Sequence, residues 1–70
     1  MMLDWIKLQS SAIAAVAYKN SSLYIKFTTG RDYEYFHVPP DIYKELLNAA
    51  SAGQFVNAYI KHHYQYRRIK

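Results

Sequence analysis

The paired prolines Pro39 and Pro40 divide this chain into two different hydrophobic periods. Upstream, "LYIKFTT" alternates Leu23, Ile25 and Phe27 with Tyr24 and Lys26. "DYEYF" does the same with Tyr33 and Tyr35 against Asp32 and Glu34, the period-two pattern of half-buried strands. Downstream, Ile42, Tyr43, Leu46, Leu47 and Ala50 recur at intervals of three and four, as on a helix with one apolar stripe. The prolines enforce the change. Neither can donate a backbone N–H to a ladder, and Pro40 is pre-set for a first helical turn, with Asp41 favourable at the positive end of the dipole.

Face parity organises the strands. Gly30, in "TTGR", separates the two alternating runs, and an odd loop is needed to bring Leu23, Ile25, Tyr33 and Tyr35 to one face. A three-residue turn through Thr29, Gly30 and Arg31 meets this requirement and sets Lys26 across from Glu34 on the outer face. In "AIAAVAYK", Ile13, Val16 and Tyr18 share a face if a bulge shifts the parity between Ile13 and Val16, and "KNSS" turns the chain into the next strand. Alanine gives this segment helix propensity as well, but an isolated hairpin is marginal in water, so a third strand is expected. "ASAGQF" ends the first helix, and Phe55, Val56, Tyr59, Ile60 and His63 resume the helical spacing. The expected fold is α+β: a three-stranded antiparallel β-meander followed by two α-helices packed on one face, in a single domain spanning 1–70. Tyr33 and Tyr35 turn their rings under the helix that the prolines start, with their hydroxyls at the rim.

Composition explains why the aromatic residues are concentrated here. At 70 residues one apolar core only just outweighs chain entropy, and without cysteine neither a disulfide nor a thiolate zinc site can supplement it. The 17% aromatic content, with 8 tyrosines, supplies the missing burial. The opening "MMLDWIKLQSS" has no uninterrupted apolar run, so no membrane association is expected and the protein is read as soluble and cytoplasmic. A formal charge of +4 and an isoelectric point near 9.4 favour acidic partners.

The combination of "SSAIAAVAY", "LYIKF", Gly30, Tyr33-x-Tyr35, "VP" and "NAASAGQFVNAYIKHHY", with Arg67 close behind, resembles the KTSC domain family from about Ser10 to Ile69. The resemblance implies a small domain, found alone in bacterial and phage proteins and at the C-terminus of some lysyl-tRNA synthetases. It also implies a role in RNA binding, and it carries no catalytic residues over to this chain. Ala17 stands where the family pattern leads one to expect glycine, and Lys19 where an acidic residue is common.

The residues themselves argue against most chemistries. His62 and His63 are adjacent, so on a helix they point about 100° apart and make poor co-ligands even with His37 as a third; no metal and no cofactor are expected. Asp32 and Glu34 share a strand face, but with Lys26 opposite they read as a solvated cross-strand pair. The hydroxyls of Ser10, Ser11, Ser21, Ser22, Thr28 and Thr29 fall at turns and strand ends without a histidine and acid beside them, so no catalytic residues and no enzyme activity are expected. The tail "KHHYQYRRIK" interleaves Lys61, Arg67, Arg68 and Lys70 with Tyr64 and Tyr66, cations for phosphates and rings for bases. Basic residues also suit a helix C-terminus, and the tyrosines can fold back on the sheet. Tyr24 and Lys26, with Phe36, add an outer-face aromatic surface. The expected role is a small non-enzymatic binding module for RNA, tRNA included. The alternative is a protein–protein interaction module, such as a phage or bacterial inhibitor or adaptor acting through its outer sheet face, and the first strand can also pair edge to edge in a homodimer.

Overall fold

The computed structural model describes residues 3–70. Among these the chain runs β1 (Ile6–Lys7), β2 (Ile13–Lys19), β3 (Ser22–Phe27), β4 (Asp32–Tyr35), α1 (Pro40–Asn48), α2 (Ala52–Tyr59) and β5 (Tyr66–Arg68). The sheet order is β1-β2-β3-β4-β5, the order of the chain, and each adjacent pair is antiparallel. The α+β class, the meander and the two helices are as expected, but the sheet has five strands among the described residues rather than three. The two additional strands lie at the edges and have 2 and 3 residues. Backbone pairing to one neighbour holds them, so neither needs the long apolar alternation by which a strand declares itself in sequence. Two arginines suit such an edge, because charge discourages pairing with a further chain.

The core lies between the sheet and the helices. Val16, Leu23, Ile25 and Tyr35 point inward from the strands, and Leu46 of α1 and Val56 of α2 meet them, with Ile60 sealing the end. Tyr18 stacks on Tyr43 of α1, ring centroids 5.0 Å apart, and donates its hydroxyl proton to the carbonyl of Val38. The bulge falls between Ile13 and Ala15, so Ile13, Val16 and Tyr18 share the inner face as the parity argument requires. The "KNSS" turn is a two-residue loop closed by Lys19 and Ser22, with Asn20 and Ser21 both left-handed at φ of 51° and 66°.

The β3–β4 hairpin differs from expectation in register. Its loop is odd, but it runs through Thr28, Thr29 and Gly30 and is closed by the Phe27 N–H donating to the Arg31 carbonyl at 2.9 Å. Gly30 takes the left-handed position at φ 94°. Lys26 therefore pairs with Asp32, and Glu34 with Tyr24, a slip of two residues that leaves every side chain on its expected face. In α2, Ser51 accepts from the Gln54 N–H at 3.3 Å, and a Cβ on Gly53 would lie 3.2 Å from that of Ala12. Glycine thus lets the first turn of α2 close on the loop before β2. The helix stops at Tyr59, so His63 does not continue its spacing and is exposed beyond it. No helix among the described residues is long and apolar enough to cross a membrane.

Candidate functional site

β5 splits the basic and aromatic tail between two surfaces. Tyr66 pairs with Tyr35, Arg67 with Glu34 and Arg68 with Tyr33. Since side chains alternate along a strand, Tyr66 and Arg68 share the inner side while Arg67 points to the outer face. Arg67 donates from Nε to Glu34 Oε1 at 3.0 Å, and Arg68 from Nε to the Lys70 carbonyl at 3.2 Å. Tyr64 is half-buried and packs against the core. Of the residues singled out in the tail, only Lys61 and Tyr66 meet at one cavity.

That cavity is a groove of about 270 Å³ on the inner side of the sheet, past the end of α2. Its lining is largely aromatic: Phe27, Tyr33, Tyr35 and Tyr66. Tyr33, Tyr35 and Tyr66 form a triangle, with centroids 6.4 Å apart from Tyr33 to Tyr35 and 5.6 Å along the other two sides. Phe27 meets Tyr33 edge to face at 5.6 Å. Arg31 and Lys61 supply the cations of the lining, beside His62, and the lining contains no carboxylate. Tyr35 lies deepest at 3% exposure, whereas Tyr66 is 56% exposed at the mouth. Burial, then the neighbouring Tyr33 and Tyr66, pushes the Tyr35 hydroxyl above its ordinary pKa, so it remains a neutral O–H. None of the three tyrosine hydroxyls has a hydrogen-bond partner among the described residues, although Tyr18 and Tyr24 each have one.

The outer face is more fully engaged. Glu34, 7% exposed, accepts from Ser22 Oγ at 2.9 Å and Tyr24 Oη at 3.2 Å as well as from Arg67. Burial alone would raise its pKa, but the hydrogen bonds from Ser22, Arg67 and Tyr24 outweigh burial and hold the carboxyl below its ordinary value. The same contact, after burial, raises Tyr24. Lys26 does not reach for Glu34; its Nζ sits 4.6 Å over the ring of Trp5, which also meets Tyr24 edge-on at 6.5 Å. Ala17 is fully buried opposite Tyr24. His37, His62 and His63 do not gather: among the described residues no three histidine or acidic side chains converge as metal ligands would.

Sequence reasoning placed Tyr33 and Tyr35 in the core and did not see that, with Phe27 and Arg31, they frame a cavity. The available signal was chemical. Two inward strand positions next to the prolines carry tyrosine rather than phenylalanine, and a buried hydroxyl needs either a partner or an opening.

The KTSC domain family model matches residues 9–64 of this chain. The chain belongs to the KTSC domain family. A crystal structure of a KTSC domain protein from Yersinia pestis superposes with a TM-score of 0.94 at 28% identity, covering 99% of this chain and 100% of that one. A protein of Stutzerimonas stutzeri is 37% identical over 67 residues, 91% of this chain and 94% of its own length. A lysine–tRNA ligase of Nostoc punctiforme is 38% identical over 66 residues, which are 91% of this chain and only 12% of the ligase. The KTSC unit thus makes up nearly all of one relative and a small part of another. Within this chain the family match ends at Tyr64, so it includes the groove's Arg31, Tyr33, Tyr35 and Lys61, while β5 adds Tyr66 from beyond it.

Proposed function

We propose that this KTSC domain is a non-enzymatic RNA-binding module and that the inner-face groove is its contact surface. One observation carries the reading: aromatic faces and cations converge in a cavity whose lining holds no acid. Rings stack on bases of any identity and cations neutralise phosphates, the two requirements of single-stranded nucleic acid binding. The relatives named lysine–tRNA ligase support tRNA as the RNA in question. The rival reading, a protein partner on the outer sheet face, has less free chemistry to use. Tyr24 and Arg67 already serve Glu34, and Lys26 lies over Trp5.

Anisotropy titrations of a fluorescein-labelled single-stranded RNA across a salt series test the proposal. Alanine at Lys61 or Arg31 is expected to weaken binding and to flatten the salt slope by about 0.7 per lost phosphate contact. Alanine at Tyr66 is expected to weaken binding by about 1–3 kcal/mol and leave the slope nearly intact, since stacking releases no counterions. Arg67→Ala, on the other face, is expected to act more weakly than Lys61→Ala. Absence of salt-dependent binding by the folded wild-type protein at low ionic strength would refute the proposal.

A further inference from the structure

Resting on the RNA reading of the groove, we infer that it is a one-nucleotide pocket: its minimal ligand is a nucleoside 5′-monophosphate, and in an RNA it captures a single unpaired nucleotide rather than cradling a run of bases. Size is the first argument. At about 270 Å³ the cavity falls just under the roughly 300–1,000 Å³ of sites that enclose drug-sized ligands. A base with its sugar and one phosphate fits such a space. Open single-strand grooves, by contrast, accommodate roughly 4–16 nucleotides.

The second argument is the gradient from floor to mouth. The floor is nearly closed, with Tyr35 at 3% exposure, and opens toward Tyr66 at 56%. A planar group entering past Tyr66 meets the faces and edges of three rings set 5.6–6.4 Å apart. The floor also offers hydrogen bonding that the protein does not use. No buried side-chain nitrogen or oxygen among the described residues lacks a partner, so the unpartnered Tyr35 hydroxyl must open to the groove. A phenol both donates and accepts, so it can meet the edge of any base without selecting one strongly. A purely apolar ligand would leave it unsatisfied, which is costly. Third, Lys61 and Arg31 place positive charge in the lining with no carboxylate to neutralise it, as a phosphate attached to the inserted base requires.

Isothermal titration of the wild-type protein with AMP, CMP, GMP and UMP, with the matching nucleosides, with inorganic phosphate, and with oligoribonucleotides of increasing length tests the assignment. Monophosphates are expected to bind more tightly than nucleosides or inorganic phosphate, and affinity is expected to level off once the oligonucleotide exceeds about two residues. Tyr35→Phe keeps the ring and is expected to weaken monophosphate and nucleoside alike by about three- to tenfold, the loss of one neutral hydrogen bond, at an unchanged melting temperature. Lys61→Ala, at an exposed position, is expected to weaken the monophosphate about tenfold and leave the nucleoside unaffected. If affinity keeps climbing with length while monophosphates fail to bind, the one-nucleotide pocket is overturned and the RNA reading stands. If neither monophosphate nor oligonucleotide binds, both fall.

Discussion

Replacing Glu34 with glutamine tests whether a single carboxylate ties three strands together. The side chain is 7% exposed on β4 and receives hydrogen bonds from Ser22 and Tyr24 of β3 and from Arg67 of β5. Glutamine keeps the shape and loses the charge. A hydrogen bond to a charged group contributes about 1.5–3 kcal/mol and one between neutral groups about 0.5–1.5, so the gross loss is about 1 kcal/mol per bond. The Arg67 side chain is 67% exposed, so its share is largely screened by water. Glutamine also costs less to bury than a carboxylate, which returns part of the loss. The net expectation is a destabilisation of about 1–2 kcal/mol at pH 7, read by urea denaturation, or a melting temperature lower by roughly 5–15 °C in a domain of this size. The pH dependence adds a second check. The folded state holds Glu34 below its ordinary value of 4.5, so this contribution is complete above that pH and disappears as the pH falls through the lower folded value. Glutamine has no such step, and the other carboxyls titrate equally in both proteins. The gap between wild type and variant should therefore narrow from pH 7 to about pH 3. A gap that stays constant, or a variant as stable as wild type at neutral pH, would refute the account of Glu34 as a net stabilising ionised group.

Two further expectations concern packing and backbone. Tyr35→Ala should cost about 3–5 kcal/mol in denaturant titration, as for other emptied aromatic core sites, and Tyr24→Ala on the half-buried outer face should cost less; the reverse order would invert the face assignment. Ser21→Gly should stabilise the protein by about 0.5–1 kcal/mol, because Ser21 sits at φ 66° in a two-residue turn where glycine is the favoured second residue, and an unchanged or lower melting temperature would count against that geometry.

What the sequence disclosed was what its periods and special residues encode. Alternation placed Leu23, Ile25, Tyr33 and Tyr35 on one face, parity called for a bulge between Ile13 and Val16, and Pro39 and Pro40 fixed the start of α1. Parity cannot distinguish a register from one slipped by two, so the partner of Glu34 was misassigned although its face was not. β5 escaped because Tyr66, Arg67 and Arg68 are all exposed, and a strand held by one backbone ladder leaves no burial pattern to read. The groove escaped for the same reason. Without β5 there was no cause to bring Tyr66 against Tyr35, or to separate Arg67 from Arg68.

The meander joins neighbours in sequence until its last step, when the chain returns from the two helices and β5 lies beside β4, linking residues 33 apart at Glu34 and Arg67. Closing a loop over that separation costs more chain entropy than closing the short hairpins. One wall of the groove arrives with that final strand. A chain clipped after Tyr64 would lack Tyr66 and with it that side of the groove. A ligand held in the groove as proposed would bridge Tyr35 on β4 and Tyr66 on β5, and so would oppose release of the last strand.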